Sequence, residues 1–261
     1  QHITPPGAQR SRTYDLGLDQ NIVGEKLTLK VGYFHNMFDH QLEGVGGTAL
    51  AAYFPQYVGL PPALLSNPYF TAYVNSLAYR AQGTEVELLF RPTHRVLIQG
   101  GYTYLAARVV QSFSSDALAS GITQYPNPNL PTTAIGIYGP LQGGRPFRRP
   151  PNTGFFAVEY NRSKFAFGLK GAMASRSDDS TYLQYGDLNG GNTLLLPNRD
   201  LDFGYVKLDM SVSYKLRGYA TIFTQLDNLL NDQHIGPIGY PGLPFTMRAG
   251  LKLRLFGDPT R

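Results

Sequence analysis

The sequence predicts an all-β protein whose antiparallel strands span a membrane as part of a β-barrel. Three observations carry that expectation. Near the C-terminus, apolar and polar residues alternate over nine or more positions, longer than the roughly five or six residues usual for soluble strands. Short polar turns and long connections rich in Gly, Pro and aromatic residues follow one another strictly, as in an outer-membrane barrel. The chain is 42% hydrophobic over 261 residues, yet no stretch approaches the roughly 20 apolar residues of a spanning helix.

Nine strands are expected. The segment 12–21 turns Asp15 and Asp19 to one side, and 25–38 sets Leu27, Leu29, Val31 and Tyr33 against Thr28, Lys30 and Gly32. In 76–91, Val86, Leu88 and Phe90 oppose Glu85 and Glu87; in 95–110, Val96, Ile98, Gly100, Tyr102 and Tyr104 oppose Gln99, Gly101 and Thr103. Next comes 148–161, with Glu159 on its polar side, and then 164–176, where Phe165, Phe167, Leu169 and Met173 oppose Gly168, Lys170 and Ala172. In 205–216, Val206, Leu208, Met210, Val212 and Tyr214 alternate with Lys207, Asp209, Ser211, Ser213 and Lys215. The strand 219–229 carries Gln225 inward, and 245–256 sets Met247, Ala249, Leu251, Leu253 and Leu255 against Arg248, Gly250, Lys252 and Arg254. Period-2 patterning of this length places one face in an apolar medium and the other in a polar one.

The short turns fall at 21–24, 91–94, 161–163 and 215–218, and the long loops at about 39–75, 111–147, 177–204 and 230–244. Four loops this long would count against the strand assignment in a soluble domain. In a barrel they lie on the extracellular rim, which puts the C-terminus in the periplasm. Nine strands is an odd number, and an open edge in lipid leaves backbone groups unsatisfied. The chain is therefore expected to need a complement, most simply an N-terminal part of the same protein.

Ordered along this frame are seven segments with the pattern of TonB-dependent outer-membrane receptors: 12–19 (RTYDLGLD), 32–36 (GYFHN), 82–87 (QGTEVE), 101–108 (GYTYLAAR), 148–152 (RRPPN), 225–230 (QLDNLL) and 239–245 (GYPGLPF). Together they resemble the C-terminal portion of that family's barrel over nearly the whole chain. The resemblance implies about the last nine strands of a plugged barrel of about 22, with 1–261 one part of a single barrel domain. It further implies loop capture of a scarce solute and import energised by a TonB-type transducer acting through the plug. The solute class is a ferric siderophore, a cobalamin-like chelate or an oligosaccharide. Implied partners are the plug and earlier strands, the transducer, outer-membrane lipid and lipopolysaccharide, and the barrel-assembly machinery. In this family a terminal aromatic residue serves that machinery; here Phe256 falls one place past the apolar register ending at Leu255.

Candidate ligand-binding residues crowd the long loops: Tyr53, Phe54, Tyr57, Tyr69, Phe70 and Tyr73 in the first, Tyr125 and Tyr138 in the second, Tyr182 and Tyr185 in the third, and Tyr240 in the fourth. Aromatic side chains with polar tips offer rigid contact area for capture, and serve equally as an interface girdle or as packing between loops. Arg145, Arg148 and Arg149 suit bidentate binding of carboxylate, catecholate or phosphate, or of lipopolysaccharide at the rim. A lumen- or plug-facing set comprises Glu85, Glu87, Lys170, Lys207, Asp209, Arg248, Lys252 and Arg254, the mixed-sign lining of a solvated wall or of a ligand path.

Catalysis finds no support. Cysteine is absent, which removes disulfides and thiolate chemistry. The five histidines have no metal-site spacing, and Asp178, Asp179, Asp187 and Asp200 match no EF-hand. No cofactor is expected. The charge of +5 has no basic run behind it, which disfavours nucleic acid. A passive porin or a non-membrane β-rich assembly protein are the alternatives, with an outer-membrane lipase further off.

Overall fold

A computed structural model describes residues 6–57, 59–67, 70–113, 145–146, 148–185, 192–202, 204–233 and 242–254. Its strands are β1 (Arg10–Ile22), β2 (Leu27–Gly46), β3 (Thr71–Thr93), β4 (Val96–Gln111), β5 (Asn152–Arg162), β6 (Phe165–Ala174), β7 (Ser177–Tyr185), β8 (Asn192–Asp202), β9 (Tyr205–Arg217), β10 (Ala220–Asp227) and β11 (Thr246–Leu253). Nine of them form one antiparallel sheet in the order β1-β2-β3-β4-β5-β6-β9-β10-β11, while β7 and β8 pair as a separate hairpin. The nine-stranded sheet contains every expected strand. It is open, with β1 and β11 at its ends.

Three stretches expected to be loop are strand. The hairpin β7–β8 lies within 177–204, and β2 and β3 reach into 39–75 as far as Gly46 and Thr71. The first part of β7 reads Ser-Asp-Asp-Ser, with no apolar alternation to betray it. In β2 the phase is broken instead by a bulge: the register with β3 shifts between Phe38 and Gln41, and His40 adopts a left-handed backbone with φ 57°. Such an insertion bends the strand. The strand expected from 148 begins at Asn152.

One row of cross-strand partners shows how the sheet meets its surroundings. Ile22, Leu27, Phe90, Ile98, Val158, Leu169, Met210, Leu226 and Met247 are successive neighbours across all nine strands. Every member is apolar. The same face exposes Leu16, Leu18, Met247 and Leu251, and an apolar surface this continuous belongs against lipid rather than water.

The row also reports tilt. Ile98 stands two residues in from Val96, Leu169 four from Phe165, and Met210 seven from Arg217. Each short turn is thus displaced along the strands from the one before it, the stagger that tilted barrel strands require.

The short connections 23–26, 94–95, 163–164 and 218–219 share one rim, and the long ones share the other. Packed interior is scarce among the described residues. The largest buried cluster, Val45, Leu50, Tyr57 and Val74, sits among the long connections.

Candidate functional site

The long-connection rim is where structure departs from a plain sheet. Beyond the bulge, β2 and β3 continue as a ribbon into helix α1 (Gly47–Tyr53), a 3-10 turn (Pro55–Tyr57) and a short helix α2 (Pro62–Leu65). These fold back over the ribbon because Val45, Leu50, Tyr57 and Val74 bury together, with Phe54, Leu60, Phe70, Ala72 and Phe113 packed around them. Phe113 follows β4 and brings a third segment into the module. Its ring meets Tyr53 at 5.0 Å and Phe54 edge-on at 5.4 Å.

A buried carboxylate ties the module down. Glu43, 7% exposed, accepts hydrogen bonds from Ser76 Oγ on β3, from Ser112 Oγ at 2.6 Å and from the Phe113 backbone N–H at 3.0 Å. A carboxylate held by several donors in a low-dielectric site is a strong local clamp. At the outer surface, Asn75 Nδ2 donates to the carbonyls of His40 at 2.7 Å and Gly7 at 3.1 Å, and so ties down the bulge.

The aromatic candidates divide by position. Tyr53 is 63% exposed and Tyr73 is 71% exposed, so both present rings to solvent. Tyr57 is 3% exposed inside the cluster, and Phe54 and Phe70 pack against it. Tyr182 and Tyr185 stand on β7, in backbone register with Leu195 and Asn192 of β8. Tyr69, Tyr125, Tyr138, Tyr240, Asp187 and Phe256 lie outside the described residues. Arg148 and Arg149 are exposed and Arg145 is half-buried, just ahead of β5. Arg148 has a left-handed backbone, φ 58°.

The eight mixed-sign residues share one face, opposite the apolar row. Lys30 of β2 pairs with Glu87, and that row continues through Gly101, Phe155 and Ala172 to Lys207. Lys170 partners Asp209; Glu85, Arg248, Lys252 and Arg254 keep the same parity along their strands. Among the described residues two ion pairs form on this face, Arg248 with Asp227 at 2.9 Å and Lys30 with Asp19 at 3.7 Å. Both are largely exposed and contribute at most about 1 kcal/mol each. Glu159, Lys170, Ser211 and Gln225 line a shallow trough of mixed character there, beside the Phe223 ring.

Aromatic rings interrupt this polar face at places where glycine makes room. A Cβ at Gly101 would overlap the ring of Phe155; one at Gly83 would stand 2.8 Å from Phe34 Cζ, and one at Gly250 2.8 Å from Phe223 Cζ. Each glycine partners or neighbours the ring across strands, an arrangement that lets it lie flat on the sheet. The sequence reading missed Glu43, Phe113 and these three rings. Gly83, Gly101 and Phe34 stood within recognised motifs, though as family pattern rather than as ring seats; Glu43 had no pattern to expose it.

Among the described residues no three His, Asp or Glu side chains converge as a metal site. The same residues contain no helix long and apolar enough to cross a membrane, which leaves crossing by strands open.

A family model described as TonB dependent receptor-like, beta-barrel, matches residues 5–229. Comparison with curated proteins gave no match. Solved structures with the same fold include the ferric-catecholate import receptor Fiu of E. coli K12, at 15% identity and a TM-score of 0.54, covering 94% of this chain and 27% of that one. The ferripyoverdine receptor of Pseudomonas aeruginosa, bound to ferripyoverdine, aligns at 14% identity and 0.57, covering 94% and 27%. The FrpB iron transporter of Neisseria meningitidis gives 14% and 0.53, covering 95% and 32%. At these identities the likeness is one of fold, and the chain spans about a third or less of each of these proteins.

Proposed function

Because the chain belongs to the TonB-dependent receptor β-barrel family, whose members are outer-membrane transporters rather than enzymes, we propose that it forms the C-terminal wall of an active-transport receptor. The receptor captures a scarce solute at its long loops and imports it by TonB-energised movement of a plug. A ferric siderophore is the foremost solute class, because the structural relatives include receptors for ferric catecholate and ferripyoverdine. The observation that carries the reading is the family match over 5–229, joined to a sheet with one continuous apolar row and its long connections on a single rim.

In this reading the sheet is nine strands of a larger closed barrel. Its open ends are completed by further strands, its mixed-sign face lines the lumen, and its short turns and C-terminus lie in the periplasm. Phe34, Phe155 and Phe223 meet the plug beside Glu85, Glu87, Lys170 and Lys207. Tyr53, Tyr73 and the Arg145–Arg149 segment face the solute.

The test is uptake. Cells expressing the intact receptor, grown under iron limitation, are given labelled ferric siderophores, with and without a functional TonB-type transducer. Transducer-dependent accumulation of a ferric chelate is expected. Accumulation that ignores the transducer would mark a passive pore. Tight binding of a cobalamin or oligosaccharide, with no ferric chelate bound, would move the receptor to another solute class.

A further inference from the structure

The short connections gather bases that no run in the sequence shows. Lys26, Arg91, His94, Arg95, Glu159 and Asn161 line an open cavity of about 330 Å³ at the short-turn rim. It lies on the mixed-sign face, because Leu97 keeps the parity of Gly101 along β4 and pairs with Glu159. Glu159 and Asn161 also border the trough beside Phe223, so cavity and trough are continuous along the wall. Farther along the same rim Lys252, Thr221 and Lys215 form one cross-strand row, and Arg254 keeps the parity of Lys252.

The sign of this face changes along its height. Midway, Glu87 stands opposite Lys30, and Lys170 opposite Asp209. At the short-turn end Lys26, Arg91, Arg95, Lys215, Lys252 and Arg254 are all exposed, and among the described residues no carboxylate pairs with any of them. Arg95 Nε donates to His94 Nε2 at 3.1 Å, which leaves the two terminal nitrogens of its guanidinium for an anion. Like charges on one concave rim repel each other, and the same field draws in a counter-ion, raising its local concentration about 10- to 10³-fold. Position decides which anion this is. Bases on the inner face are turned away from lipid headgroups, and the trough leads to them from the middle of the wall. The anion they meet is one that travels through the lumen.

We propose that this cavity is an exit site for an anionic ferric chelate. Arg91, Arg95 and Lys26 receive the carboxylate or catecholate oxygens of the solute as it leaves the lumen for the periplasm. Guanidinium forks suit the paired oxygens of these groups. Exposed charges are screened by salt, so the site holds the chelate weakly enough to release it. The mouth thereby selects by charge, after the long loops have selected by shape. This assignment rests on the reading that the chain is the wall of a transport receptor with its short turns in the periplasm.

The test uses the intact receptor in mild detergent and phenylglyoxal, which modifies accessible guanidinium groups, with peptide mass spectrometry as the readout. A trianionic ferric tris-catecholate is expected to slow modification of Arg91 and Arg95 about tenfold relative to a neutral ferric tris-hydroxamate at equal ionic strength. Equal rates with the two chelates overturn the assignment. So do arginines that stay unmodified with no chelate added, since another part of the receptor then covers them. Uptake supplies the second readout. In Arg91→Gln/Arg95→Gln the maximal transducer-dependent uptake of the anionic chelate is expected to fall about three- to tenfold, with half-saturation unchanged because capture belongs to the long loops. A raised half-saturation at an intact maximal rate, or no change in either, overturns the exit site. Absence of transducer-dependent uptake in the wild type refutes the transport reading instead, while the labelling still decides whether the cavity holds an anion.

Discussion

Removing Glu43 separates the loop module from the wall beneath it. The carboxylate gathers Ser76 Oγ, Ser112 Oγ and the Phe113 N–H, so it joins β2, β3 and the segment after β4. In Glu43→Ala the half-buried Phe113 N–H loses its acceptor, and the two hydroxyls lose theirs. Losing three hydrogen bonds to a carboxylate, with one N–H left unsatisfied, costs about 3–4 kcal/mol in sum. Glu43→Gln keeps the volume and one acceptor oxygen, and the serine hydroxyls can rotate to accept from the amide, so the cost falls to about 1–2 kcal/mol. Both costs fall on local opening of the module, because the backbone ladder of β1–β4 continues below the bulge without this side chain. The assay is limited proteolysis of residues 47–70 and of the chain after Gln111 in detergent-extracted receptor. Heat-modifiable migration on a gel serves as the readout for the barrel. Where cleavage follows the open population, Ala accelerates it roughly 10²–10³-fold and Gln about tenfold. Barrel migration is unchanged in both. Wild-type protease resistance in Glu43→Ala, or loss of the barrel together with the module, would refute the clamp.

Three further predictions follow from particular positions. Gly83→Ala is expected to destabilise the barrel by about 1–3 kcal/mol, because its Cβ would overlap the Tyr104 carbonyl and crowd Phe34; Gly32→Ala, whose Cβ meets only the Leu16 carbonyl at 4.0 Å, is neutral or slightly stabilising; urea titration of the folded barrel distinguishes the two. Val23 holds φ 56° in the first short turn and is exposed, a conformation costly for a β-branched residue; Val23→Gly should raise stability by about 1 kcal/mol in the same titration. Tyr53→Ala and Tyr73→Ala remove exposed rings and should each weaken ferric-siderophore binding by about 5- to 30-fold with protease resistance retained; Tyr57→Ala, which empties the cluster, should lose both together in a calorimetric titration paired with proteolysis.

The wall was legible because lipid enforces a two-residue period. Every strand of the nine-stranded sheet showed that period or sat between a short turn and a long loop, and the row from Ile22 to Met247 is the same alternation seen across strands. Where no medium enforces the period, legibility ends. The β7–β8 hairpin carries no apolar phase, and the upper halves of β2 and β3 are masked by the bulge at His40. The rim was legible only as composition. An excess of aromatic residues marks a packed module and a capture surface equally. Tyr53 and Tyr57 lie four apart in sequence, and one faces solvent while the other is buried. Which face a loop tyrosine presents depends on long-range partners such as Phe113, and no local pattern encodes those.

Alternation along β3 and β4 also leads to two arginines, Arg80 and Arg108, which are direct cross-strand partners. The phase marks an apolar side at Val86, Leu88 and Phe90 on β3, and at alternate positions from Ile98 through Tyr104 on β4. Continued upward, it passes Gln82 and Ala106 and reaches Arg80 and Arg108, which falls as a pair only once the register is known. A charge in phase with a lipid-facing row is costly within the band and favourable at its edge, where snorkelling and headgroup phosphate compensate it. Its distance along the strand therefore measures the band. If Arg80 and Arg108 mark the upper edge, the lower edge near β3 and β4 falls close to Val96 and the Thr93 turn. Moving the pair down one strand period, as Arg80→Gln with Gln82→Arg, then places a charge below that edge. Outer-membrane assembly of that variant should fall, while the reverse displacement, Arg80→Ser with Ala78→Arg, should be tolerated; equal assembly of the two would remove the edge from this position.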